Sequence, residues 1–589
     1  MRVTRHPFRM AVIGLFFAGL SACSAINPPA AGTAALQLDS IYQGDLSGKP
    51  AVAEVDGQLV SLYATADNRV AFKRGDKVTL LDADIKAKGG RFFELHQQGG
   101  TLYALWWNHQ DAKALYCAVS TDGGKTFAPT RVVNSDHGVL PPYTILTLPD
   151  GAVGVAYMDE RSPKYEVYFN RSGDAGKTWD KQDQRLDTAP KPPEQSSAMF
   201  PSMVQSGADW VVVWTDHAKV DGQPVGRILV RTSSDAGKQW SPEKVILQSP
   251  SMLYSVHAET VGNDVVVMLQ DTLKGVIALR STDHGRSWTD LGAAPGTQAT
   301  NNSGIRFAGT GTTAYAVWMA QKDAKSKGKV FAAVLDLASG KWAAPEQVDA
   351  GKPEGVGATL SLEPSVAVTG SGVPVITWTD FRNIRPNIYL SASFDHGKTW
   401  TAPQDVELPG QYSSIFSSVI PREDSVLLSY ERFPADDHKV RQALVIDVKL
   451  DKGHGFAGLP QPKAMTASAK EQQLKDRVAA FWKERTSGDF AKTYGYFDPA
   501  FKMANTPAAF VKTQGNFFYH SAKTDKITVE GNVAQVSEKI NYEVKPTEIA
   551  GQEVKVPPTT VDLKTTWVWI YDNWYQVYTS PFGQPYLQY

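Results

Sequence analysis

A mainly β chain, built from a run of similar sheets and followed by a small α+β domain, is what the sequence predicts. Three observations carry that prediction. First, one turn pattern recurs five times, as Ser120-Thr-Asp122-Gly-Gly124-Lys-Thr-Phe127, Ser172-Gly-Asp174-Ala-Gly176-Lys-Thr-Trp179, Ser233-Ser-Asp235-Ala-Gly237-Lys-Gln-Trp240, Ser281-Thr-Asp283-His-Gly285-Arg-Ser-Trp288 and Ser393-Phe-Asp395-His-Gly397-Lys-Thr-Trp400. Second, the aspartates stand 52, 61, 48 and 112 residues apart, and a degraded copy at Leu335 to Trp342 makes the last gap two units. Periods of roughly 40–50 residues with four strands each point to a β-propeller. Third, the apolar pattern turns helical after Leu450 and then returns to a period of two.

Each recurrent turn lies between apolar, alternating runs, as a hairpin connection does. Its Asp carboxylate can accept from backbone N–H groups of the same turn, and its Gly can take positive φ without a Cβ clash. The aromatic five positions after the Asp is large enough to pack between neighbouring sheets. Asp122, Asp174, Asp235, Asp283 and Asp395 are therefore expected to be structural. The spelling resembles the Asp box (BNR repeat) of sialidases and related β-propellers, which implies a sialidase-like ring of sheets.

The unit reads clearly at Pro364–Val368, Pro374–Trp378 and Asn387–Ser391, followed by the turn and by Gln404–Leu408. Similar units begin near Arg91, Tyr143, Phe200, Tyr254 and Ile305. Two segments without the turn keep the rhythm, Ala51 to Ile85 with four strands and Ser414 to Leu450 with three. A strand near Leu36 to Tyr42 is expected to complete the last sheet and close the ring, removing exposed edges. Eight blades over residues 35–451 is the preferred count, with seven as the alternative.

The N-terminus has a basic head, Met1 to Arg9, and an apolar stretch from Met10 to Gly19, as in a signal peptide too short to span a membrane. It ends Leu20-Ser-Ala-Cys23, which resembles a bacterial lipobox (residues 1–23). That resemblance implies lipidation of Cys23, and Ser24 after it implies the outer membrane; an ordinary secretory signal is the alternative. Residues 24–34 read as a tether. Cys117 is then the one remaining cysteine, a buried inert thiol in a strand. Sixty basic and 61 acidic residues leave no basic surface for nucleic acid, and neither a metal-ligand spacing nor a cofactor motif is present in the sequence.

After a linker at 452–468, a helix is expected over Lys470 to Arg485, with Leu474, Val478, Ala479, Phe481 and Trp482 on its apolar face. Short helices at Tyr494–Phe501 and Thr506–Gly515 follow, then strands at Ile527–Val529, Ala534–Ser537, Ile540–Tyr542, Val561–Trp569 and Trp574–Tyr578. Helices followed by strands mean α+β. The spelling Phe481-Trp...Ser487-Gly-Asp-Phe490...Tyr496-Phe-Asp-Pro499, with Trp569-Ile-Tyr-Asp-Asn-Trp-Tyr575, resembles the NTF2-like (SnoaL-type) cone over residues 469–589. The resemblance implies a concave sheet with a pocket and dimerisation through the other face. No His-Asp dyad is spelled there.

The end of the ring also resembles a catalytic sialidase. Arg385, eight residues before Ser393, stands where that family places its third substrate-carboxylate arginine. Gly410-Gln-Tyr412-Ser-Ser-Ile415 resembles the nucleophile segment, and Val426-Leu-Leu-Ser-Tyr430-Glu431 the strand whose Glu steadies an arginine. The resemblance implies Tyr412 as nucleophile, Arg385 as clamp and Glu431 as support. The chain departs from the family at the first arginine, where Pro141-Pro142-Tyr143, Met199-Phe-Pro201 and Leu362-Glu-Pro364 stand, and at the second. One exposed arginine–carboxylate pair contributes only ~0–1 kcal/mol and does not replace three. Asp159-Glu-Arg161 and Asp380-Phe-Arg382 end matching second strands, with Asp216 and Asp271 at equivalent points. They are either ion pairs tying adjacent blades or a rim that binds a hydroxylated or acidic ligand. The expected function is a glycan- or protein-binding module on an outer-membrane lipoprotein; the alternative is an exo-sialidase with a Tyr nucleophile.

Overall fold

The computed structural model describes residues 35–38 and 49–578, apart from 66, 87, 109, 111–112, 188–195, 221, 324–327, 351–360, 383–385, 408–411, 435–441, 460–464, 499–500, 503–504, 515, 532, 550–551 and 571–572. The chain is mainly β. Among the described residues, eight antiparallel sheets follow one another before the C-terminal unit: sheet one (51–80), two (91–132), three (139–185), four (196–249), five (253–293), six (301–347), seven (361–405) and eight (412–451). Each of the first seven is a four-strand meander in chain order, and sheet six carries one extra short strand. Sheet eight takes its fourth main strand from far away: Ala35–Leu38 pairs with Gln442–Asp451, Ala35 opposite Ile446.

The second strands explain why the sheets stack. Strands such as Val153–Asp159, Pro374–Asp380 and Asp264–Asp271 are almost entirely buried, and are rich in Val, Ile, Met and aromatics on both faces. Such a strand needs cover on both sides. Seven apolar cores supply it, each drawn from two consecutive sheets: Val60, Phe72 and Trp106 between one and two, for example, and Val375, Leu390, Leu428 and Leu444 between seven and eight. Sheets eight and one meet through polar groups. Arg422 donates to Glu54 at 2.5 and 2.9 Å and also pairs with Asp447 at 2.7 Å, and Lys49 Nζ donates to the Ser417 carbonyl at 3.1 Å.

The recurrent turns are built alike. In the second copy Ser172 Oγ donates to Asp174 Oδ1 (2.8 Å), the Gly176 amide donates to Ser172 Oγ (2.8 Å), and Asp174 also accepts from the Thr178 amide (2.8 Å) and hydroxyl (2.7 Å). The other four copies repeat the Ser–Asp and Gly–Ser bonds. Each turn leans on the preceding sheet. Gly237 has φ 80°, and a Cβ there would stand 2.5 Å from Phe169 Cζ of sheet three. Phe127 packs edge-on to Phe72 at 4.8 Å, and Trp240 to Phe169 at 5.0 Å. In the degraded copy Asp336 does the same work, accepting from Ser339 Oγ and the Ala338 amide.

The C-terminal unit is α+β. Helices α1 (Ala467–Thr486), α2 (Phe490–Thr493) and α3 (Pro507–Gln514) pack on a sheet of four antiparallel strands, Phe517–Glu530, Val533–Ile549, Gln552–Ile570 and Asn573–Gln576. Its core centres on Leu474, Val478, Phe481, Trp482, Phe510, Trp567 and Trp574. The sequence predicts more and shorter strands. The segments at Ala534–Ser537 and Ile540–Tyr542 belong to one strand, Val533–Ile549, which runs straight through the polar residues between them.

Candidate binding site where the first strands converge

The first strands of sheets two to eight share one irregularity. The register breaks between Arg91 and Glu94, Leu140 and Tyr143, Met199 and Ser202, Tyr254 and His257, Ser303 and Arg306, Leu362 and Ser365, and Ile415 and Ser418. In six of the seven, a residue inside the break has left-handed backbone: Phe92, Phe200, Ser255, Gly304, Glu363 and Phe416, with φ between 52° and 62°. A bulge sets two residues against one, bends its strand and re-aims side chains. For a residue with a Cβ this conformation costs about 1–2 kcal/mol, so five such residues at matching positions mark a layer the fold holds against strain.

At this layer lies a cavity of about 540 Å³. Its wall takes Lys49 and Val52 from sheet one, Phe92 and Glu94 from two, Tyr143 from three, Arg306 from six, and Ser418 and Ile420 from eight. Lys49 sits near the negative charges of Glu363 and Glu431 and the positive charge of Arg306; burial dominates and lowers its pKa to about 8. Burial raises Glu94 to about 8. Burial, with Glu431 adding and Lys49 and Arg306 opposing, raises Glu363 to about 7. Arg306 lines the same cavity, and the protein around it lowers its pKa although water reaches it. A carboxyl (Glu94) and an amine (Lys49) poised near neutrality on the wall of one open cavity, with the charge of Glu363 acting on the amine, mark a candidate site for binding or proton transfer.

Tyr412 opens the first strand of sheet eight, opposite Pro434, and Ser414 stands opposite Arg432. Tyr412, Ser414 and Arg432 share one face of the sheet, and the Arg432 guanidinium lies 4.3 Å from the Tyr412 ring centroid. Glu407 of sheet seven anchors that face: it accepts from Arg432 Nη1 (2.7 Å), the Tyr430 hydroxyl (2.9 Å) and Ser414 Oγ (3.0 Å). Glu431, opposite Ile415, is on the other face, toward Lys49 and Glu363. Tyr412 and Glu431 thus lie on opposite faces of the sheet, and the expected partner of Glu431 is Arg385. Arg385 and Cys23 lie outside the described residues.

The Asp-x-Arg pairs are closed on themselves. Arg161 donates to Asp159 through Nε (2.9 Å) and Nη2 (2.8 Å) and to Asp183 (2.8 Å), with its plane 4.0 Å from the Tyr168 ring. Arg382 repeats this with Asp380 (3.1 and 2.8 Å) over Tyr389, and also donates to the carbonyls of Asp349 and Ala350. Both arginines thus bind chiefly within their own sheet and reach the segment entering it. The Asp159 and Asp380 side chains are fully buried. Asp216 faces Arg227 of the next strand at 3.8 Å, and Asp271 accepts from Ser251 and two backbone amides. Sequence reasoning missed Glu407, Arg432, Lys49, Glu94 and Arg306. Its one pointer was Leu362-Glu-Pro364, singled out for lacking an expected arginine and not for the carboxylate of Glu363. Among the described residues no group of three or more His, Cys, Asp or Glu could hold a metal.

Fold and site together define a mainly β chain of serial four-stranded sheets, in which the first strands of sheets one, two, three, six and eight line a charged cavity. No family model matches the chain, and no curated protein matches it. Among solved structures it is similar to the NanB sialidase of Streptococcus pneumoniae (10% identity, 70% of this chain and 94% of that chain, TM-score 0.33). It is also similar to a polysaccharide lyase of the PL25 ulvan lyase family (9% identity, 72% and 100%, TM-score 0.40) and to an α-L-arabinanase of Penicillium chrysogenum (14% identity, 52% and 99%, TM-score 0.30).

Proposed function

We propose that residues 35–451 form a sialidase-like Asp-box β-propeller of eight blades, followed by an NTF2-like domain at 469–589, and that the protein is a binding module for a hydroxylated, glycan-type ligand. Five spaced Asp boxes, eight serial sheets and the completion of sheet eight by Ala35–Leu38 support the propeller. The cavity carries the functional reading, because ionisable groups of both signs from separate parts of the chain, Lys49, Arg306 and Glu94, line one open space, with Glu363 acting on Lys49. Hydroxyl-rich ligands are held by such mixed donors and acceptors, and Phe92 at the same wall offers a face for a sugar ring. Binding without turnover is favoured because two of the three family arginines have no counterpart in the sequence and Tyr412 is packed on Arg432. The lipobox at Cys23 supports anchoring to the outer membrane, where a glycan or a protein partner would be met, and the C-terminal sheet offers a dimerisation face.

A glycan array probed with the full chain, followed by titration of the best ligand, tests this. Lys49→Met and Glu363→Gln are each expected to weaken binding at least about tenfold, or 1.4 kcal/mol. Unchanged affinity in both would remove the cavity from consideration. Hydrolysis of a fluorogenic sialoside that disappears in Tyr412→Phe would replace the binding module by the exo-sialidase.

A further inference from the structure

Arg485 lies in the last turn of α1 and points into the C-terminal core, only 9% exposed. Its Nη2 donates to Gln514 Oε1 at 2.7 Å and to the Tyr519 hydroxyl at 3.1 Å, both neutral acceptors. Its Nη1 is buried and has no hydrogen-bond partner. Among the described residues no carboxylate stands within ion-pair distance of it. Glu538, a buried carboxyl of the same core, is engaged elsewhere, by Trp482 Nε1 and Thr565 Oγ1. A charge taken out of water is normally paired. The rings of Tyr519 (4.7 Å), Phe481 (5.3 Å) and Phe490 (5.7 Å) and the negative end of the α1 dipole ease the cost, but none of them supplies a full charge.

Beside Arg485 the sheet presents an aromatic shelf. Phe517, Tyr519 and Tyr542 stand 6.3–6.4 Å apart with rings 16–31° from parallel, and all three are only half-buried. From this geometry we infer that the C-terminal unit binds a small monocarboxylate with a flat apolar body, its carboxylate on Arg485 Nη1 and the Tyr519 hydroxyl and its body along the shelf. One unpaired guanidinium suits a monoanion; a phosphate monoester carries closer to two charges at neutral pH. The inference is independent of the propeller and of its ligand.

The test is calorimetric titration of the full chain with benzoate and with benzamide, its neutral isostere. Benzoate is expected to bind saturably and at least about tenfold more tightly than benzamide, and Arg485→Gln to abolish that preference. Arg485→Lys, which keeps the charge but loses the planar fork, is expected to retain part of it. Equal binding of the two probes by the natural chain, no saturable benzoate binding, or a preference that survives Arg485→Gln would each overturn the proposal. Should Arg485→Gln not fold, Tyr519→Phe takes its place: benzoate affinity is expected to fall at least about threefold with benzamide unchanged. Unchanged benzoate affinity there would overturn it equally.

Discussion

Replacing Glu407 by Gln probes the joint between sheets seven and eight. The carboxylate is 9% exposed and accepts three bonds from sheet eight, at 2.7 Å from Arg432, 2.9 Å from Tyr430 and 3.0 Å from Ser414. Arg432 itself is 2% exposed. A glutamine with its oxygen in the place of Oε1 can still accept from Arg432 and Tyr430, and its amide can donate to the Ser414 hydroxyl. What it removes is the negative charge beside a buried cation. Losing one side of a buried ion pair costs about 3–5 kcal/mol, of which a charge-assisted bond alone accounts for about 1.5–3. Arg432 retains the Gln442 Oε1 bond at 3.0 Å, which places the expectation at the lower end, about 3 kcal/mol. Against a usual total of 5–15 kcal/mol that is a large fraction.

The assay is urea unfolding at neutral pH followed by tryptophan fluorescence, on Glu407→Gln, Arg432→Met and the double variant. The pair should be coupled, the double variant losing less than the sum of the singles by about 1.5 kcal/mol or more. A single-variant loss below about 1 kcal/mol, or strictly additive losses, would refute the view that Glu407 holds sheet eight through Arg432.

Gly237→Ala is expected to destabilise by about 2–4 kcal/mol in the same assay, because a Cβ at φ 80° is strained and would meet Phe169 at 2.5 Å. Asp174→Ala releases the exposed Thr178 donors to water and frees the buried Ser172 hydroxyl, and is expected to cost only about 1–2 kcal/mol. Glu363, whose folded pKa of about 7 lies above its ordinary 4.5, holds a proton in the folded state that the unfolded chain gives up; its contribution to stability therefore falls as pH rises from 4.5 through 7. Lys49, lowered to about 8, has the opposite slope, its contribution rising with pH between 8 and 10.5. Stability–pH curves of Glu363→Gln and Lys49→Met, each subtracted from that of the natural chain, should isolate these two windows. Cys117, fully buried with its thiol pushed up to about 12, is expected not to react with a thiol reagent until the chain unfolds.

The repeating turns were legible because their chemistry is local. Ser, Asp and Gly at fixed offsets close the same bonds wherever they occur, and their sequence spacing maps onto one sheet each. Helix α1 was legible for a similar reason, since Leu474, Val478, Phe481 and Trp482 define one face. The C-terminal strands were harder to read. Strand Phe517–Glu530 breaks register twice and exposes Lys523, Asp525 and Lys526, so its polar face reads as interruption although the ladder continues.

The candidate site was least legible, and the reason is geometric. Its residues lie in or beside bulged first strands, and the left-handed positions of those bulges, Phe92, Glu363 and Phe416 among them, are not residues that announce a turn. Adjacent strand residues also face opposite ways, so a motif placed correctly in sequence can still divide in space. Glu431 and Arg432 illustrate this. Resemblance gives Glu431 the support of an arginine, and opposite-residue pairing puts Ser414 against Arg432 and Ile415 against Glu431. The guanidinium thus goes to the tyrosine and to Glu407, and the carboxylate to Lys49 and Glu363. A one-residue shift in that pairing would exchange the faces of the two side chains. The strand register of sheet eight, as much as the identity of its residues, therefore decides which charge meets the Tyr412 ring.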